Sequence, residues 1–117
     1  NADDEADNEL ARAKPEVLKE LVQGVARHVA DIDAALAPAI AGERKLDELE
    51  NVLRAILRMA TYELMYRPNV PARTVLSSYT EISDAFFDED GPQIKLIAGI
   101  INAVARDVRA DEFTKSA

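Results

Sequence analysis

The stretch LDELENVLRAILRMATYEL, residues 46–64, carries the longest apolar period in the 117-residue chain. Leu46, Leu49, Val52, Leu53, Ile56, Leu57, Ala60 and Leu64 recur at three- and four-residue spacings over roughly five turns of about 3.6 residues each. That repeat places them on one side of a helix, whereas a strand would scatter them over two faces. The spacing predicts the central core helix here, over Leu46–Leu64.

Upstream, Pro15 suits a first helical turn, where its missing N–H costs nothing, and Glu16 suits the positive end of the helix dipole. Val17, Leu18, Leu21, Val22, Val25, Val29 and Ile32 continue as one stripe until Pro38 and the Ala-rich residues 34–41 interrupt it. This predicts a helix followed by a second short helical turn. Downstream, Tyr66-Arg67-Pro68-Asn69-Val70-Pro71 holds two prolines and reads as a connector. Val75, Leu76, Tyr79, Ile82 and Phe86 then mark a helix entered through Pro71, and Asp88-Glu89-Asp90-Gly91-Pro92 ends it in an acidic loop. The last stripe is Ile94, Ile97, Ile100, Ile101, Val104 and Val108. Gly99 in its middle costs roughly 1 kcal/mol against Ala, which predicts a compensating close approach by a neighbouring helix.

The expected fold is all-α, a compact bundle of about five helices in one domain over residues 15–109. Composition agrees: 48% of residues are hydrophobic, enough for one modest core, and four Gly and five Pro offer little turn chemistry for a β-rich fold. No apolar run is long enough to span a bilayer. The absence of cysteine removes disulfides and thiolate chemistry and fits the cytoplasm. Net charge is −8, with 13 acidic and 6 basic residues in positions 1–50 against 9 and 8 in 51–117. An excess of negative charge disfavours tight nonspecific binding to nucleic acid or anionic membrane. Residues 1–14 are expected to be a frayed acidic segment, since five carboxylates precede the first basic residue, Arg12. Residues 110–117 are expected to be a flexible tail. The opening at Asn1, without signal-peptide features, leads to the expectation that something upstream has been removed.

Chemistry is sparse. His28 is the sole histidine and reads as an ordinary helix residue beside Arg27. Asp31 and Asp33 are two apart and share no helical face, the Asp88–Asp90 loop lacks the ligand pattern of a calcium loop, and no phosphate cradle or nucleophile elbow occurs. No catalytic site, metal or cofactor is expected. Arg54 and Arg58 lie four apart on the central helix with Asn51 beside them, a face that reads as solvated and paired with carboxylates. Arg67, Arg73 and Lys95 flank the connector and the last helix.

Leu57-Arg58-Met59-Ala60-Thr61-Tyr62-Glu63-Leu64, then Val70-Pro71, Glu81 in the next helix and Ile97-Ala98-Gly99-Ile100-Ile101 together resemble the NusB family in order and spacing. They are similar to its LR-x-A-x-YEL block, Val-Pro connector, glutamate-bearing helix and closing V-N-G-V-L helix. Leu21-Val22-Gln23-Gly24-Val25 and Asp31-Ile32-Asp33 are similar to its L-x-x-G-V and L/I-D elements. The likeness covers roughly residues 15–109. Three departures stand out: Ser77-Ser78 where the family has Asn-Glu, Ala98 in place of Asn, and about two extra residues in the acidic loop.

The resemblance implies a non-catalytic, all-helical factor in bacterial transcription antitermination. It implies pairing with the ribosomal protein NusE, binding of boxA RNA during ribosomal RNA transcription, and a place in the antitermination complex on RNA polymerase. Lys95, at the start of the last helix, and Arg73, after the Val-Pro connector, are the implied RNA contacts. Asn51 and Arg54 are the implied partner-binding residues, and Tyr62 is expected to be a packed aromatic. The arginine-rich first helix of the family has no counterpart in these 117 residues, so RNA binding by this chain alone is expected to be weak. Two alternatives use the same module, as the RNA-recruiting domain of a ribosomal RNA methyltransferase or as an acidic scaffold that binds only protein. A gene product of about 140–170 residues favours the free factor over the methyltransferase.

Leu57 lies at the middle of the predicted core stripe. Leu57→Ala should therefore cost roughly 2–5 kcal/mol by chemical denaturation, and a loss below about 0.5 kcal/mol would place it outside the core.

Overall fold

The computed structural model describes residues 14–40, 46, 49–88 and 91–114. Within them lie five α-helices: α1 (Pro15–Arg27), α2 (Val29–Leu36), α3 (Asn51–Tyr66), α4 (Ala72–Ser83) and α5 (Pro92–Val108). Short 3-10 turns follow α2 at Ala37–Ala39 and α5 at Ala110–Glu112. The architecture is all-α, as the periodicity predicts, and α3 packs against each of the other four helices.

None of the five helices has a side-chain cap on its first turn from its own N-cap residue. Proline does part of that work, since Pro15 and Pro92 occupy first helical positions and remove a donor that would otherwise go unpaired. Pro71 precedes α4 in an extended conformation.

The core runs along α3. Leu53, Ile56, Leu57, Ala60 and Leu64 are buried there, meeting Leu21 of α1, Ile32 and Leu36 of α2, Val75 and Tyr79 of α4, and Ile97, Ile101 and Val104 of α5. Leu57 is fully inaccessible. Glu63 is also buried, and the Tyr79 hydroxyl donates a hydrogen bond to its Oε2, linking α3 to α4 through a carboxylate inside the core. A buried acid needs such a partner, because an unpaired one would be far costlier to desolvate.

Several boundaries differ from those the stripes predict. The central helix begins at Asn51 rather than Leu46, for Glu50 is extended (φ −56°, ψ 146°). Leu46 and Leu49 still reach the core, but from a turn in which the Leu49 N–H donates to the Leu46 carbonyl at 3.1 Å. The upstream stripe breaks at His28, so that α1 and α2 are separate helices. That stripe is also wider than the face it buries: Leu18, Val22 and Val29 are 46%, 56% and 36% exposed. Helix α4 stops at Ser83, and Phe86 turns outward while Phe87 packs partly on the core. Residues 110–113 are no loose tail, since Phe113 packs on the core and Glu112 makes the contacts described below. The predicted frayed segment lies outside the described residues except for Lys14, as do Glu89 and Asp90 of the acidic loop and residues 115–117.

Gly99 corrects the expectation of a close helix contact there. A Cβ built on it meets nothing within 4 Å, because the buried isoleucines at 97, 100 and 101 turn position 99 outward. The close approach is at Gly24 instead, where a Cβ would lie 2.3 Å from Tyr62 Cζ. Gly24 is thus the site where α1 settles against an aromatic ring of α3.

The two glycines should respond oppositely to alanine. Gly24→Ala is expected to destabilise by about 1–3 kcal/mol through overpacking. Gly99→Ala should stabilise by about 0.5–1 kcal/mol by relieving helical backbone entropy. Urea denaturation of both variants measures the contrast, and equal effects would contradict this packing.

Candidate functional site

Pro68 cannot sit easily after an α-helical residue, and Arg67 accordingly leaves the helical region (φ −126°, ψ 68°), ending α3. A helix that stops inside the fold leaves carbonyls unpaired at its end. Here the guanidinium of Arg109, just past α5 and 6% exposed, fills that need. Its Nε donates to Leu64 O at 2.7 Å, and its Nη2 to Arg67 O at 2.9 Å and Glu63 O at 3.3 Å. Its Nη1 donates to Val70 O at 2.8 Å and to Glu112 Oε2 at 2.5 Å. All five N–H donors of the planar fork are engaged.

Glu112 extends the clasp to the next helix. Its Oε1 accepts the Ala72 N–H at 2.8 Å, an unpaired donor of the first turn of α4. That backbone hydrogen bond, with the Arg109 charge adding to it, holds the carboxyl below the ordinary glutamate range. The end of α3, the connector, the start of α4 and the end of α5 are joined at one point.

The connector so fixed carries Arg67 and leads into Arg73, whereas Lys95 lies at the start of α5. Arg67 approaches Glu20 of α1 at 3.8 Å. Arg73 is exposed in the first turn of α4 and lines a depression of about 310 Å³ with Pro71, Ala72, Glu112 and Phe113. Lys95 is exposed in the first turn of α5 and lines a separate depression of about 550 Å³ with Pro92, Gln93 and Leu96. Arg73 and Lys95, paired by the sequence reading as RNA contacts, thus stand at the starts of two helices and line different hollows.

Asn51 and Arg54 are brought together, with Arg54 Nη2 2.6 Å from Asn51 Oδ1 and Nη1 3.1 Å from Leu49 O. The arginine folds back over the entrance to its own helix. Arg58, four residues on, makes a two-pronged ion pair with Asp33 of α2, at 2.9 Å through Nε and 2.8 Å through Nη2. The Asp33 hydrogen bond favours the charged guanidinium and raises its pKa further.

Two features escaped sequence reasoning. One is the Arg109–Glu112 clasp. The other is a stack in which the His28 ring lies 4.2 Å from that of Tyr66, inclined by 22°, with Tyr62 5.3 Å beyond Tyr66. His28 is partly exposed, and it occupies the break between α1 and α2, where it stacks on Tyr66, rather than a position within a helix. The Tyr66 hydroxyl faces Asp31 Oδ2 at 3.5 Å; desolvation first, then that negative charge, push the phenol above its ordinary value.

The NusB family profile matches residues 1–108. The transcription antitermination protein NusB of Maricaulis maris is 39% identical over 105 residues, covering 90% of this chain and 64% of that protein. Its namesake from Caulobacter vibrioides is 38% identical over 101 residues, covering 86% and 66%. The one from Rhodopseudomonas palustris BisB5 is 33% identical over 103 residues, covering 88% and 58%. The chain therefore spans less than two thirds of the length of these relatives.

Glu112 gives the clasp a defined acid response. Because its folded pKa is depressed, its contribution to stability is complete above the ordinary glutamate range and is lost as pH falls through and below it. Glu112→Gln should lower stability near neutral pH by about 1 kcal/mol, the side chain being partly solvent-screened. It should also flatten the acid limb of a stability–pH profile, and an unchanged limb would remove Glu112 from the clasp.

Proposed function

This chain belongs to the NusB family, and on that premise we propose that it is a non-catalytic transcription antitermination factor. In this reading it pairs with the ribosomal protein NusE, contributes to boxA RNA binding in ribosomal RNA transcription, and joins the antitermination complex on RNA polymerase in the cytoplasm. The observation that carries the reading is the family match, which takes in nearly the whole chain, 1–108.

The length of a relative favours the free factor over a methyltransferase domain. The 105 matched residues are 64% of the Maricaulis protein, which makes that relative roughly 160 residues long. Among the described residues no helix is long and apolar enough to cross a membrane.

The surface chemistry suits a shared RNA-binding task. Arg73 and Lys95 are exposed cations with no ion pair among the described residues, free to meet phosphate. Against a net charge of −8 they supply few contacts, so affinity for RNA alone is expected to be modest. The same charge favours a basic protein partner and speeds its association at low salt. Asn51 and Arg54, already oriented at the start of α3, are the partner-facing candidates on this reading.

Fluorescence anisotropy with labelled boxA RNA, run across salt concentrations with and without NusE, tests it. The chain alone should bind weakly, with a salt slope matching about two or three neutralised phosphates, and NusE should raise the affinity. Arg73→Ala and Lys95→Ala should each lower that slope by about one. Absence of any complex with NusE at tens of micromolar would refute the pairing, and nanomolar binding by the chain alone would refute the shared-task account.

A further inference from the structure

We propose that the depression beside the Arg109–Glu112 clasp is a nucleotide subsite, in which a base stacks on Phe113 and its phosphate meets Arg73. The inference deepens the RNA-binding reading and rests on it only for the source of the nucleotide, a single-stranded RNA or a free mononucleotide.

Size and lining are suited to one nucleotide unit. The hollow measures about 310 Å³, at the small end of ligand cavities, and Pro71, Ala72, Arg73, Glu112 and Phe113 form its walls. Phe113 is half-buried against the core, and the Arg106 guanidinium lies 4.8 Å from its ring centroid. The ring is held by the core and is only part-buried, so a base that stacks on it in place of the Arg106 guanidinium costs the ring little side-chain freedom. Pro71 adds a second rigid apolar wall.

The charges in the hollow are arranged for an anion. Arg73 is exposed and has no carboxylate partner among the described residues. Glu112, the one acid among the described residues of the lining, would oppose a phosphate if its charge were uncompensated. Both its oxygens are already engaged, Oε1 by the Ala72 N–H and Oε2 by Arg109 Nη1. Among the described residues of the lining that leaves Arg73 as the unpaired charge, in the same hollow as the Phe113 ring. An aromatic platform beside a cation is the combination that recognises a base with its phosphate, and it is tolerant of sequence because every base has a π face.

The test is a set of amide-resolved NMR titrations of the full chain with AMP, adenosine, inorganic phosphate and a single-stranded oligoadenylate. AMP and the oligonucleotide should move the amides of Ala72, Arg73 and Phe113, and adenosine or phosphate alone should bind more weakly than AMP. Phe113→Leu, which keeps an apolar side chain but removes the stacking face, should weaken AMP about tenfold. Arg73→Gln, at an exposed position that the fold does not need, should abolish the advantage of AMP over adenosine. If the oligonucleotide binds but moves only amides around Lys95, and Phe113→Leu leaves its affinity unchanged, the subsite is refuted while the RNA-binding reading stands. If AMP fills the hollow and the oligonucleotide does not, the subsite stands and its source is a free nucleotide. If neither ligand moves these amides, or both variants bind as the parent does, the proposal is overturned.

Discussion

The buried guanidinium of Arg109 is the interaction on which the connector half of the molecule depends. Taking a cation out of water is expensive, and the cost is offset only where its donors are met and its charge is balanced. Both conditions hold here, because four donors reach carbonyls at the end of α3 and in the connector, and the fifth reaches Glu112. The end of a helix is also the negative end of its dipole, so the cation sits where the backbone field favours it. Arginine suits this position better than lysine would, since a single ammonium has three donors and no planar fork.

Around that point the fold relies on contacts between distant segments more than on local signals. Helix α4 has no cap from its own N-cap residue, and the Ala72 N–H is instead met by a carboxylate forty residues later in the chain. Gly24 and Tyr62, far apart in sequence, define how closely α1 approaches α3. Arg58 and Asp33 tie α2 to α3 one helical turn before Tyr62. The first of these ties fixes the first turn of α4, from which the exposed Arg73 projects.

The parts of this architecture legible in the sequence are those written as periodicity. The stripes of α3 and α5 each keep one face buried along most of their length, so helix identity and core membership follow from spacing alone. Leu46 and Leu49 show the limit of that reading: apolar spacing reports which side chains reach the core, not where the α-helix begins, which is Asn51. Gly99 shows another, because a helical glycine indicates a missing side chain without saying whether anything fills the space. Arg109 was illegible for a different reason. Its acceptors are backbone carbonyls, which every residue possesses, so no residue pattern marks them. The resemblance to a known family supplied the candidate contacts Arg73 and Lys95, whereas the hollow beside Arg73 appears only when residues 110–113 fold back onto the connector.

The sequence distance between Arg109 and its acceptors also bears on the order in which the molecule is made. Val70 precedes Arg109 by 39 residues and Leu64 by 45. During synthesis, which proceeds at about 5–20 residues per second, the connector emerges seconds before the side chain that pairs its carbonyls. For that interval water must satisfy them, and the junction between α3 and α4 has no clasp to hold its angle. The core closes only with Ile97, Ile101 and Val104 of α5, and the geometry of the connector is settled a few residues later, when Arg109 arrives.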